Sequence, residues 1–187
     1  MPIPKGTKLR PDKALSREEI NRIIYSLENE EDRVLFMIQY LTASRISEVL
    51  ALTPKDFFIE EIKGEKFLFI RMPVLKKRNS IEEKMPPIDF NDEFVPHILN
   101  YIKKFKEDEK IFKISRHLAW ARLNKIKRMR THTFRKSRLT ELVRKYGWDV
   151  FDLVKFVGWS SAAPAIAYVR QDTKDLALKL IKEESGR

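Results

Sequence analysis

Apolar residues along this chain recur mostly at helical spacing, with one stretch where they run together instead. Ile20, Ile23, Ile24 and Leu27 make the first stripe, and Ser16-Arg17-Glu18-Glu19 just before it fits a capping box, so a helix is predicted to start at Ser16. Val34, Leu35, Ile38 and Leu41 predict a second helix over about Glu31 to Leu41. A break at Thr42-Ala43-Ser44 separates it from a third, short helix of about Ile46 to Leu52, stopped near Pro54.

The period then changes. Phe57-Phe58-Ile59-Glu60-Glu61-Ile62 and Lys66-Phe67-Leu68-Phe69-Ile70-Arg71 flank a Lys63-Gly64 turn and predict a β-hairpin. A basic loop, Leu75 to Ser80, leads to a third strand expected around Glu83 to Ile88. Helical spacing returns afterwards. Asp92 or Asn91 caps a helix carrying Phe94, Ile98, Ile102 and Phe105. Ser115 caps one carrying Ala119, Leu123 and Ile126, and Thr133 one carrying Leu139, Leu142 and Val143 that ends near Gly147. Asp149 caps another, to about Val157. A last amphipathic stretch covers about 173–184. The predicted class is α+β, mainly α: one helical domain, 16–187, with a small antiparallel three-stranded sheet, behind a Pro-rich extended leader, 1–15.

Composition narrows the functions open to such a domain. The 187 residues hold 38 Lys and Arg against 27 Asp and Glu, a net charge of +11, which suits a polyanionic partner or a solvated basic surface. There is no cysteine, which excludes disulfides, thiolate metal sites and a cysteine nucleophile. His97, His117 and His132 have no ligand spacing, so no metal or other cofactor is expected. No apolar run has the length of a membrane span, and Met1-Pro2-Ile3-Pro4 opens no secretory signal, so a cytoplasmic protein is expected. The bias to Lys, Glu and Ile, with Gln only at Gln39 and Gln171, resembles that of hyperthermophile proteins.

Five residues carry candidate chemistry. Arg45, in Ala43-Ser44-Arg45-Ile46-Ser47-Glu48, stands at a helix start, where an arginine opposes the dipole unless an anion joins it. Taken alone it also reads as a surface arginine paired with Glu48. His132 and Arg135 lie three apart at another helix start and gather positive charge there. Trp159, in Gly158-Trp159-Ser160, is an N–H donor or a core side chain. Tyr168, nine residues beyond it, is a hydroxyl nucleophile or a half-buried tyrosine. Guanidiniums bind phosphate oxygens through paired donors, so the set suits phosphodiester cleavage without a metal. Lys125, Lys127, Arg128 and Arg130 form one basic cluster; Lys136, Arg138, Arg144 and Lys145 form another. Both are candidates for DNA backbone contact or for solvated helix faces.

In order and local sequence these motifs resemble the catalytic domain of tyrosine recombinases, the phage integrase family. Arg45 matches the family's first catalytic arginine, with Glu48 as the acidic residue that helps hold the site, and His132-Thr133-Phe134-Arg135 matches its His-x-x-Arg motif. Trp159 stands where many members have His, and Tyr168 at the distance of the nucleophile. Lys136 follows Arg135 where His is frequent, and Ala and Pro fill the stretch before Tyr168 where Thr is frequent. The resemblance implies that a lysine on the basic hairpin loop, Lys76 or its neighbour Lys77, protonates the leaving oxygen.

It further implies a site-specific DNA recombinase or integrase, acting on double-stranded DNA through a 3′-phosphotyrosyl link without metal or ATP. Several protomers, a tetramer in the synapse, would act together, and the free chain could be monomeric. The compositional bias makes a thermophilic, archaeal integrase the expectation. A type IB topoisomerase shares the chemistry, and a non-cleaving DNA-binding protein is the rival from another class. The family's N-terminal core-binding domain is expected to be absent.

Overall fold

The computed structural model describes residues 14–73 and 84–169. The capping box forms as the sequence predicts: Ser16 Oγ accepts from the Glu19 amide at 3.3 Å, and Glu19 Oε2 accepts from the Ser16 amide at 2.9 Å. Helix α1 (Arg17–Tyr25) follows, with Ile20, Ile23 and Ile24 buried. Helix α2 (Glu30–Thr42) is buried on nearly all sides from Val34 onward, as befits the central helix of a bundle. It contacts α1, the short α3 (Ile46–Val49), α4 (Val95–Ile102) and α6 (His132–Tyr146). Phe36 of α2 stacks on Phe134 of α6 with ring centroids 4.9 Å apart.

Strands β1 (Phe57–Ile62), β2 (Glu65–Ile70) and β3 (Pro87–Asp89) form an antiparallel sheet in that order. The turn places Lys63 and Gly64 at positive φ, 54° and 85°. Leu68, Ile70 and Ile88 point into the core. Helices α5 (Arg116–Ile126), α7 (Val150–Val157) and α8 (Ala163–Val169) complete the described chain. Ser115 caps α5 and Asp149 caps α7, as predicted.

Two apolar clusters result. The larger unites α1, α2, the sheet and α4 with Ala119, Leu123 and Phe134. The smaller joins Ala43 to Leu139, Leu142, Leu153, Phe156, Val157 and Ala165. Helix α6 contributes to both, so its N-terminal half lies where they meet.

The structure departs from the sequence reading in five places, one being α4, which starts at Val95 behind Phe94 rather than behind a cap at Asn91 or Asp92, and ends before Phe105. Helix α6 starts at His132 with Thr131 before it, and Thr133 is a buried residue of its first turn rather than the cap. The third strand is Pro87–Asp89, and Lys84 only forms an isolated bridge to Met72. Helix α3 ends at Val49, three residues short of the expected Leu52. Residues 163–169 are helical although Pro164 lies among them, because proline is tolerated in a first turn, where its missing N–H would have no partner. The expected tail helix, 173–184, lies outside the described residues, as does the leader except for Ala14 and Leu15. Leu15 donates its amide to Ser137 Oγ at 2.9 Å.

Candidate active site

Arg45 is positioned by a sharp exit from α2. Ala43 ends that helix at φ 47°, in the left-handed region, and is fully buried in the smaller cluster. A β-carbon makes that conformation costly, so packing has to hold it. Arg45 then precedes α3, and Glu48 reaches back: Oε2 accepts from the Arg45 amide at 2.8 Å, and Oε1 from Arg45 Nη1 at 3.3 Å. The carboxylate is buried at 2% exposure while the Arg45 side chain keeps 38%. Arg45 pairs with Glu48, and its guanidinium still lines an open cavity.

The first turn of α6 faces the same cavity. His132 is exposed there, Arg135 is 3% exposed, and Lys136 is half-buried. Burial, and after it the Arg45 charge, push the Arg135 guanidinium down to about 10, and it stays charged at neutral pH. Its Cζ lies 5.4 Å from the Trp159 ring centroid, a cation–π contact.

Trp159 is aimed by the end of α7. Gly158 takes φ 70° at the helix C-cap, where glycine carries no β-carbon penalty, and the Trp159 amide donates to the Val154 carbonyl at 3.0 Å. The Trp159 ring stacks beside that of Tyr168 of α8, centroids 6.2 Å apart and planes 22° apart. Tyr168 is half-buried. Burial raises its phenol above the ordinary value, and the Arg135 charge opposes that rise.

Arg45, His132, Arg135, Trp159 and Tyr168 thus line one cavity of about 710 Å³, together with Lys136 and Arg144. The cavity is cationic and has a phenol on its wall, which suits a phosphate beside a hydroxyl nucleophile. Lys76 and Lys77 lie outside the described residues. Lys125, Lys127, Arg128 and Arg130 are exposed at the end of α5 and beyond it. Arg138 is a correction. It is 8% exposed, ion-paired to Glu141 at 2.6 Å and placed over the Tyr40 ring, because it shares a helix face with the buried Phe134 and Leu142. It is not available to a DNA backbone.

Sequence reasoning also missed Lys84. Its side chain is 2% exposed, and Nζ stands 3.2 Å from Glu48 Oε2. Residues 84 to 89 alternate buried and exposed, so Lys84 shares its inward side with Ile88. That parity was the available signal. Among the described residues no three His, Asp or Glu side chains gather as a metal would need, and no helix is long and apolar enough to cross a membrane.

Against known proteins, the model of the phage integrase family matches residues 13–175. No curated protein sequence matches the chain. Three solved structures share its fold at low identity. The XerH site-specific recombinase bound to its difH substrate in a pre-cleavage complex is 18% identical with a TM-score of 0.63, covering 84% of this chain and 50% of its own. The catalytic domain of bacteriophage HP1 integrase is 15% identical with a TM-score of 0.62, covering 88% and 92%. The XerA recombinase is 16% identical with a TM-score of 0.63, covering 98% and 69%. The chain thus spans about half the length of the XerH chain.

Proposed function

The chain belongs to the phage integrase family, the tyrosine recombinases, and from this premise we propose that it cleaves and rejoins double-stranded DNA at specific sites. The observation that carries the proposal is the convergence of Arg45, His132, Arg135 and Tyr168 on one cavity. Tyr168 Oη attacks the scissile phosphorus and forms a 3′-phosphotyrosyl ester, while the bond to the 5′ oxygen breaks. Arg45 and Arg135 donate to the non-bridging oxygens, where negative charge grows in the transition state. His132 takes the phenol proton. Trp159 donates an N–H to the phosphate and, stacked on Tyr168, restrains the nucleophile.

The departing 5′ oxygen takes a proton from Lys76 or Lys77, on the segment between β2 and β3. One phosphoester replaces another, so a 5′ hydroxyl reverses the step without ATP or metal. Lys125, Lys127, Arg128 and Arg130 hold the DNA backbone, contacts that give affinity without sequence information. Recombination further requires several protomers on the DNA, a tetramer in the synapse.

The test is a pool of nicked suicide duplexes of randomised sequence, which lose the 5′ fragment on cleavage and trap the ester. A protein–DNA adduct absent from Tyr168→Phe supports the reading, and no adduct from any duplex sinks it. Plasmid relaxation without strand exchange would indicate a topoisomerase-like activity instead.

A further inference from the structure

Lys84 is a buried charge that the proposed reaction does not use. It stands just outside β3, bridged to Met72, and its side chain is 2% exposed. Among the described residues, the charged groups around it come from three helices. Glu48 of α3 is its ion-pair partner at 3.2 Å, a contact without the alignment of a good hydrogen bond. Arg45 before α3 and Arg135 of α6 both repel it. Asp152 and Lys155 of α7 line the same cavity of about 380 Å³.

A lysine buried beside two arginines is expensive unless its charge is used. Glu48 supplies the use. One carboxylate accepts from the Arg45 amide and from Arg45 Nη1, and carries the Lys84 ammonium on the oxygen that binds the amide. Resting on the function proposed above, we propose that Lys84 is a positioning residue for strand cleavage. Its ammonium fixes the Glu48 carboxylate, which then holds Arg45 in the orientation that meets the phosphate.

The charged form is the competent one. Burial brings Lys84 down to about 8, against the pull of Glu48 and aided by Arg135 and Arg45. The free chain therefore loses this clamp as pH rises through about 8. An arginine at the same position keeps its charge far above that pH.

Two readouts test the proposal on the full chain. The first is adduct formation on the suicide duplexes, measured as kcat/KM against pH. Lys84→Met should lower it about 10²-fold, the scale of a misplaced catalytic group. Lys84→Arg should recover most of that loss and should lack the decline that the unchanged chain shows above about pH 8. Equal rates for Lys84→Met and the unchanged chain would overturn the proposal. So would a decline near pH 8 that persists in Lys84→Arg.

The second readout needs no turnover. In NMR spectra of ¹⁵N-arginine-labelled protein, the Arg45 guanidinium signal is assigned by its loss in Arg45→Ala. It should shift or broaden in Lys84→Met and return in Lys84→Arg. An Arg45 signal unmoved by Lys84→Met overturns the positioning role. If the unchanged chain forms no adduct, the proposed function fails, and the NMR readout still decides the role of Lys84.

Discussion

Replacing Lys84 with Met changes how the fold responds to alkali, and the direction follows from burial. Lys84 titrates at about 8 in the folded chain and at 10.5 when unfolded, so the folded form releases its proton first. Between those values the unfolded chain binds more protons, and stability rises with pH. The gain is complete above the unfolded value and is lost as pH falls through about 8. At about 1.4 kcal/mol for each pH unit, the fall from 10.5 to about 8 makes about 3 kcal/mol.

Lys84→Met has no proton to release and lacks the gain. Unfolding in urea, followed by circular dichroism from pH 7 to 11, gives the difference in stability between the two chains. Titrations common to both cancel in that difference. The unchanged chain should gain about 3 kcal/mol on the variant across that window. A flat difference would mean that Lys84 is solvated. A difference that falls with pH would mean that the Glu48 ion pair outweighs burial. Either result refutes the reasoning.

Other perturbations probe separate parts of the account. Arg135→Ala should lower single-turnover cleavage by about 10²- to 10³-fold, the scale for one lost donor to a transition-state oxyanion. Arg128→Ala and Arg138→Ala should divide cleanly. The first should weaken DNA binding, make its salt dependence shallower by about one ion and leave stability unchanged. The second breaks the pair with Glu141 and should cost about 3 kcal/mol of stability in denaturant titration, with the salt dependence of binding unaltered. Gly158→Ala puts a β-carbon at φ 70° and should cost about 1 kcal/mol in thermal unfolding, with a slower cleavage step because Trp159 follows it.

Much of this was legible in the sequence because local signals and tertiary packing agree. Ser16 and Asp149 cap their helices, and the Lys63-Gly64 turn closes the predicted hairpin. Arg45, His132, Arg135, Trp159 and Tyr168 were legible only by resemblance. No spacing in one dimension says that the exit from α2, the start of α6 and the end of α7 converge. The misses have physical causes. Arg138 looked like one more basic residue, but helical phase sets it with Phe134 and Leu142. Lys84 drew no reading of its own, but strand parity sets it with Ile88 and brings it to Glu48. The helix carrying Tyr168 was hidden by Pro164, which reads as a breaker until its place in the first turn is known.

The central claim is that Tyr168 becomes bonded to the 3′ end of cleaved DNA. Its most direct test is peptide mapping by mass spectrometry of the trapped adduct after nuclease digestion. A 3′-linked nucleotide on the Tyr168 peptide is the expected result. The same mass on a peptide carrying Tyr25, Tyr40, Tyr101 or Tyr146, or a linkage to the 5′ end, would contradict the account.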